Sequence, residues 1–157
     1  MELANTDPTE GQLDPNNARH AIEAIKQLKA RYFRTMDTKD WPAMRRVFVE
    51  DVVIDTTASG GGIISNADEF IAFLETTLGE AITVHHGHMP EIELTSSTEA
   101  TGIWALQDLI MWPDGTRLLG YGHYHDTYVL TNSGWCIATS TLTRLHMDFT
   151  PASGPDR

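Results

Sequence analysis

The sequence is poor in cysteine, in positive charge and in long apolar runs. Cys136 is the one cysteine among 157 residues, so no internal disulfide can form and a reducing cytoplasm is the expected location. Lysine and arginine number 11 against 22 acidic residues, for a net charge of -11. Nucleic acids and anionic membrane surfaces are recognised by basic patches, so neither is an expected partner. No apolar run is long enough to predict a transmembrane helix.

The rest of the composition is that of one ordinary globular domain. Hydrophobic residues make up 41% and charged residues 21% of a chain long enough for one sizeable core. Residues 1–16 are polar, lack the apolar core of a signal peptide, and predict a disordered or loosely docked arm. Residues 17–149 are the predicted domain, and residues 150–157 are a predicted flexible tail.

The first half of the chain has helical periodicity. Apolar residues recur every three or four positions over residues 18–37, with Lys29 included in the stripe. A strand at residues 52–57 and a glycine-rich turn at 58–62 follow; the turn has neither the spacing nor the lysine of a phosphate-binding loop. The first predicted helix covers residues 18–37 and is capped by Asn16 or Asn17. A second helix follows Asp40, and its buried stripe is Trp41, Met44, Val47 and Phe48. A third helix is capped by Asn66.

The second half changes to the two-residue period of strands. Hairpin turns at "PDG" and "TNSG" help divide it into long strands at residues 81–97, 99–112, 116–131 and 134–149. Pro90 lies inside the first of these and predicts a bulge. The order predicts an α+β fold, in which three helices pack over the concave face of a strongly curved, mainly antiparallel sheet. Such a sheet encloses a pocket beneath the helices.

Several polar residues share the inward face in this arrangement. Strand alternation sets His85 on one side of its strand and His86 and His88 on the other. Asp108 alternates with large apolar residues, where an aspartate is disfavoured and invites a functional explanation. Arg144 could balance Asp108, or the two could form an ordinary salt bridge at the sheet edge.

Five stretches carry a resemblance to a known family: "LKARYFRTMDTKDWPAMRRVFVEDVVID", "TVHHGHMPEIEL", "ATGIWALQD", "GYGHYHDTYV" and "GWCIATSTLTRL". Over about residues 20–147 the chain resembles the SnoaL-like group of the nuclear transport factor 2-like superfamily, whose fold is a cone-shaped barrel. It is most similar to the branch of scytalone dehydratase, bile-acid 7α-dehydratase and hexachlorocyclohexane dehydrochlorinase. Members form trimers or dimers, so the resemblance implies a homo-oligomer, with a trimer favoured.

The resemblance also implies a set of site residues. His85 matches the catalytic base, and Asp37 matches the aspartate that orients it through one of the two ring nitrogens. Tyr32 matches a tyrosine of the dehydratases, and Asp108 and Arg144 match an aspartate and an arginine of the bile-acid enzyme. Histidine suits proton removal beside a carbonyl near neutral pH, and an arginine can hold an oxyanion or a carboxylate.

The implied activity is a dehydratase-type elimination that needs no metal and no organic cofactor. The expected substrate is a small hydrophobic ring compound, a steroid-like or aromatic hydroxy-ketone. Inward apolar residues are the predicted substrate-binding positions, namely Phe33, Phe73, Trp104, Leu106, Ile110 and Leu142.

Other hypotheses stay open. The pairs His86/His88 and His123/His125, with Glu91 near, resemble a metal site of the cupin type, although cupins lack three leading helices. An isomerase, a polyketide cyclase or a non-catalytic binding module would have the same fold. His86 and His88 are predicted interface residues, and the alternation leaves open which side His123 and His125 face.

Overall fold

Three helices lie against one face of a six-stranded sheet. The structure is a computed structural model that describes residues 14–152, so residues 1–13 of the predicted arm and 153–157 of the predicted tail lie outside the described residues. The helices are α1 (Pro15–Asp37), α2 (Trp41–Arg45) and α3 (Ala67–Leu78), with a 3₁₀ turn at Thr57–Ser59. The strands are β1 (Phe48–Asp55), β2 (Ile63–Ile64), β3 (Ile82–Leu94), β4 (Glu99–Met111), β5 (Arg117–Thr131) and β6 (Gly134–Thr150).

The sheet is mixed and open. Its strand order is β2-β1-β6-β5-β4-β3. β1 and β6 run parallel and every other neighbouring pair is antiparallel. The predicted α+β architecture is therefore confirmed. The curved sheet does not close into a complete barrel, because β2 and β3 remain at its edges.

Helix α1 begins earlier than predicted. Its first residue is Pro15, and the carboxylate of Asp14 caps it by accepting a hydrogen bond from the Asn16 amide at 3.0 Å. Neither Asn16 nor Asn17 is the cap. The physical reason is that proline has no N–H to leave unsatisfied and its φ suits the first helical position.

The second helix is shorter than predicted and the first strand is longer. α2 ends at Arg45, so Val47 and Phe48 do not lie on it, although both are buried. β1 begins at Phe48 rather than near residue 52 because Phe48 pairs with Ile137 of β6. The Ile137 amide donates to the Val47 carbonyl at 2.8 Å. Pairing with a parallel strand distant in sequence thus ends the helix. Local periodicity contains no information about that pairing.

The long strands follow the predicted alternation. Residues of β4 from Ala100 to Ile110 are buried at every second position, which is the face under the helices. The predicted bulge at Pro90 is confirmed by a register shift between His88 and Glu91, with Met89 at φ 37°. No helix within residues 14–152 is long and apolar enough to cross a membrane.

Candidate active site

A cavity of about 310 Å³ lies between the concave face of the sheet and helices α1 and α3. This volume is at the lower end of the range for small-molecule sites. Apolar side chains form most of the wall. The polar side chains that reach it include Tyr32, His85, Asp108, Tyr124, Ser140 and Arg144.

His85, at the cavity wall, is hydrogen-bonded to Asp37, which does not itself line the cavity. Asp37 ends α1, and its Oδ1 lies 2.7 Å from His85 Nδ1. The backbone amide of His85 donates to Asp37 Oδ2 at 2.8 Å, and the Thr83 hydroxyl donates to Oδ1 at 2.9 Å. An ionised carboxylate only accepts hydrogen bonds, so Nδ1 carries the proton and the lone pair of the neutral ring is on Nε2. His85 contacts the cavity, and its Nε2 bonds to no side chain or backbone atom of the described residues.

The surroundings of Asp37 keep it ionised. Burial alone would raise the pKa of this carboxyl. The hydrogen bonds from the His85 ring and amide and from Thr83, with the charge of the imidazolium when it forms, outweigh burial and lower the Asp37 pKa. An ionised aspartate against Nδ1 fixes the ring orientation and stabilises the imidazolium that forms when Nε2 takes a proton.

Asp108 and Arg144 form a second polar pair across the cavity floor. Arg144 donates from Nη1 and Nη2 to the two carboxylate oxygens at 2.7 and 2.8 Å, and from Nε to Ser59 Oγ at 2.8 Å. A guanidinium has five N–H donors, so two remain for a ligand. β5 separates the strands that carry the pair, and Gly120 lies beneath it, where a Cβ would overlap both Arg144 Nη1 and Asp108 Oδ1. The pair therefore depends on a residue without a side chain at position 120.

Two tyrosines supply hydroxyl groups to the same cavity. Tyr32 of α1 and Tyr124 of β5 meet edge to face, with ring centroids 5.7 Å apart. Burial raises the pKa of Tyr32, and nearby carboxylates reinforce this increase. Burial and the nearby Tyr32 raise the pKa of Tyr124 well above its ordinary value. Both hydroxyls therefore stay protonated near neutral pH. They also interact with each other, so one of their two protons is free for a ligand.

Residues 17–141 match the family described as the SnoaL-like domain. The chain belongs to the SnoaL-like family. The predicted family resemblance is thereby confirmed.

Individual relatives of this SnoaL-like domain are distant. The Gibberella zeae protein named "Probable cyclase FGR4" is 22% identical over 142 residues, which cover 80% of this chain and 92% of that protein. A scytalone dehydratase-like protein of Novosphingobium aromaticivorans DSM 12444 superposes with a TM-score of 0.76 at 22% identity, covering 90% of this chain and 97% of that one. The hexachlorocyclohexane dehydrochlorinase LinA-type3 of Novosphingobium barchaimii LL02 superposes with a TM-score of 0.77 at 14% identity, covering 87% of this chain and 94% of that one. At these identities the solved structures establish the shared fold.

Three of the six predicted substrate-binding residues of the SnoaL-like domain lie on the cavity wall: Phe73, Ile110 and Leu142. The other three, Phe33, Trp104 and Leu106, lie off it. Phe33 covers Gly87 and Trp104, so α1 seals that end of the sheet. Trp104 donates its indole N–H to the Tyr128 hydroxyl at 2.8 Å, and Leu106 is buried in the core. The inward face of the sheet is longer than the cavity, so alternation alone selects too many residues.

Sequence reasoning missed part of the wall. Ser59, Gly60 and Gly61 belong to the glycine-rich turn, which has no phosphate-loop pattern but borders the cavity of the SnoaL-like domain. The signal that could have found the turn is its position directly after β1. Alternation left open which side His123 and His125 face; in the structure both face the convex side, and Tyr124 between them lines the cavity.

A buried ion pair behind the tyrosines was also missed. The ammonium of Lys29 lies 2.7 Å from Asp126 Oδ2, and neither side chain is exposed. The Tyr128 hydroxyl donates to the same oxygen at 2.8 Å. Lys29 Nζ also lies 3.8 Å from the ring centroid of Tyr124. Lys29 was predicted to be buried from its place in the helical stripe, but nothing local in the sequence identified its partner 97 residues away.

Four other histidines, two on β3 and two on β5, lie on the opposite face of the sheet from His85. The rings of His86 and His88 are 6.0 Å apart, and those of His123 and His125 are 6.3 Å apart. Within residues 14–152, no three side chains of histidine, cysteine, aspartate or glutamate are grouped so that they could hold a metal ion. The two histidine pairs are therefore separate features of the convex surface, away from the His85–Asp37 pair.

Proposed function

We propose that this protein is an enzyme that converts a small hydrophobic molecule, and specifically a cofactor-independent lyase of the dehydratase type. The observation that carries the proposal is the contact between Asp37 and His85 Nδ1 at 2.7 Å, beside an apolar cavity. This contact leaves Nε2 of His85 as the base, and the ionised Asp37 on the opposite ring nitrogen stabilises the imidazolium. Membership of the SnoaL-like family and the dehydratase-like and dehydrochlorinase neighbours are consistent with this chemistry.

The first step is proton removal beside a carbonyl. Nε2 of His85 takes a proton from the carbon next to the substrate carbonyl, and the electrons of that C–H bond move toward the carbonyl oxygen. The Tyr32 hydroxyl is the donor for the resulting enolate oxygen, and the Tyr124 hydroxyl supports it from the neighbouring strand, since burial keeps both protonated. Asp37 stabilises the new imidazolium, as it would in a catalytic triad.

The second step expels the hydroxyl group. The enolate electrons form a C=C bond as the C–O bond breaks, and the imidazolium returns its proton to the departing oxygen to make water. The two free N–H groups of Arg144 are available to the leaving oxygen or to a second oxygen of the substrate. The cycle closes with neutral His85 and needs no metal or organic cofactor.

The size and apolar wall of the cavity indicate the substrate class. A cavity of about 310 Å³ lined mostly by apolar side chains suits a small hydrophobic ring compound. A cyclic hydroxy-ketone, steroid-like or aromatic, whose elimination yields a conjugated product is therefore the favoured substrate.

A thermal-shift screen of mono-, bi- and tetracyclic hydroxy-ketones tests the proposal, followed by mass spectrometry of the products. Elimination produces a conjugated product lighter by one water. His85→Ala and Asp37→Asn should each abolish turnover while circular dichroism shows an unchanged fold. His86→Ala is the matched control, because His86 is the next residue on the same strand but faces away from the cavity. Turnover that survives both substitutions would refute the dyad.

A cyclase or isomerase is the second candidate. The similarity to the protein named "Probable cyclase FGR4" favours it, and the same base in the same apolar cavity could serve it. The product mass separates the candidates, because isomerisation leaves the mass of the substrate unchanged. A ligand whose binding depends on His85 but which is never converted to a product would instead indicate a binding module.

A further inference from the structure

Helix α1 ends in an unusual backbone geometry directly after Asp37. The amide of Lys39 donates to the Met36 carbonyl, and the amide of Asp40 donates to the Thr35 carbonyl. These two bonds define a Schellman motif, in which the residue at the position of Lys39 is most often glycine. Lys39 has φ 59°, which is in the left-handed region that side chains disfavour. A lysine kept in a position suited to glycine points to a use for its side chain.

The Lys39 ammonium is held in one place. Its Nζ donates to the Thr83 hydroxyl oxygen at 2.8 Å. The same nitrogen lies 5.9 Å from the ring centroid of Trp41, within the range of a cation–π contact. Burial lowers the pKa of Lys39, and the charge of Asp37 opposes that effect. These contacts place the Lys39 ammonium on one side of Thr83, and the pair of Asp37 and His85 lies on the other side.

The contact with Lys39 fixes the direction of the next hydrogen bond. An ammonium can only donate, so the Thr83 oxygen accepts from Lys39 and its own proton is free for Asp37. Thr83 is 4% exposed, and its Oγ1 lies 2.9 Å from Asp37 Oδ1. That same Oδ1 receives the proton of His85 Nδ1. Lys39, Thr83, Asp37 and His85 form one directed chain that ends at the proposed base.

We propose that Lys39 is a positioning residue that weakens the hold of Asp37 on the His85 imidazole, acting through the Thr83 hydroxyl. A carboxylate oxygen that already accepts from Thr83, near a positive charge, attracts the Nδ1 proton less strongly. The imidazolium is then less stable, and Nε2 stays free as a base to lower pH. This inference rests on the proposed function, since it describes how the base of that reaction is adjusted.

Other charged or titratable groups near the dyad do not belong to this chain. Asp108 pairs in register with His85 on the neighbouring strand, but its carboxylate is bound to Arg144. Tyr32 and Tyr124 are protonated because burial raises their pKa values. Among residues 14–152, Lys39 is thus the cation that is connected to Asp37 through a hydrogen-bonded side chain, that of Thr83.

Three variants test the inference. Lys39→Gly removes the amine and suits the left-handed backbone, so the fold should be as stable or more stable. Thr83→Val removes the hydroxyl at nearly constant shape. Each should move the acidic limb of the kcat/KM profile to higher pH by about 0.5 to 1 pH unit, because the imidazolium gains stability. Lys39→Arg should keep the wild-type profile. Arg34→Gln is the matched charge control, since Arg34 is exposed in the last turn of the same helix.

The double variant Lys39→Gly/Thr83→Val separates this mechanism from general electrostatics. If Lys39 acts through Thr83, the double variant shifts no further than Thr83→Val alone, whereas additive shifts would overturn the relay. The ¹⁵N NMR titration of the His85 ring, identified by its loss in His85→Gln, gives the same comparison without a substrate. An unchanged titration midpoint in Lys39→Gly refutes the inference even if the protein is a lyase. A shifted midpoint without any lyase turnover refutes the proposed function and leaves the inference standing.

Discussion

Replacing Lys29 by methionine should lower the free energy of unfolding by about 3–5 kcal/mol, a large share of the stability of a domain of this size. Lys29→Met keeps most of the length and apolar volume of the side chain and removes the ammonium group. Asp126 would then be a buried carboxylate with one remaining hydrogen bond, from Tyr128, because its Oδ1 has no partner among the described residues. At 2.7 Å and an effective dielectric constant of about 20, the direct attraction that is lost is about 6 kcal/mol.

Desolvation of Lys29 opposes that attraction strongly, since burial lowers the pKa of Lys29 even though the charge and hydrogen bond of Asp126 raise it. Breaking one side of a buried pair typically lowers the free energy of unfolding by about 3–5 kcal/mol. With an m-value of about 2 kcal/mol per molar urea, the midpoint of unfolding should fall by about 2 M. Since domains are stable by only about 5–15 kcal/mol, the variant should fold but with little reserve.

Two further variants determine whether charge is the cause. Lys29→Met/Asp126→Asn removes both charges and leaves an acceptor for the Tyr128 hydroxyl, so it should recover most of the loss. Lys26→Met is the matched control: Lys26 lies on the same helix, 46% exposed, with a loose 3.8 Å contact to Glu23. It should change the free energy of unfolding by less than about 0.5 kcal/mol. A cost below about 1 kcal/mol for Lys29→Met would show that Lys29 and Asp126 are not an ion pair, and would refute the reasoning.

Two more predictions concern the floor of the cavity and the convex face. Gly120→Ala should push Asp108 and Arg144 apart, lower turnover at least tenfold and cost about 1–3 kcal/mol in urea unfolding; Gly62→Ala, where a Cβ meets open space, should do neither. Full activity in Gly120→Ala would mean that the pair has no part in the reaction. Sedimentation at micromolar concentration should give a trimer, or a dimer, that His88→Asp on the convex face weakens. A monomeric wild-type protein would contradict the predicted self-assembly.

The sequence was sufficient to predict the fold because its two halves differ in period. Helical spacing up to residue 78 and strand alternation after residue 81 are local properties, and both appear in the structure. The boundary errors have long-range causes. Phe48 belongs to β1 because it pairs with Ile137, 89 residues later in the chain. No window of neighbouring residues contains that information.

Part of the candidate site was predictable from the sequence. Alternation and family resemblance brought His85, Asp37, Asp108 and Arg144 to one face, and in the structure they form two hydrogen-bonded pairs beside one cavity. The extent of the cavity was not predictable, because it depends on where α1 seals the sheet. Partners joined across the fold, such as Lys29 with Asp126, were likewise invisible to local patterns.

The electrostatic arrangement of the interior explains why His85 is the proposed base. Asp108 is neutralised by Arg144, and Asp126 by Lys29. Asp37 receives its donors from His85 and from Thr83, whose hydroxyl Lys39 directs. With each buried carboxylate thus occupied and both tyrosines protonated, the lone pair on Nε2 of His85 has no hydrogen-bond partner at the cavity wall among the described residues. The chain has 11 basic side chains against 22 acidic ones, and Lys29 and Arg144 are paired with carboxylates in the interior. Because those carboxylates are paired, neither of them occupies Nε2 of His85.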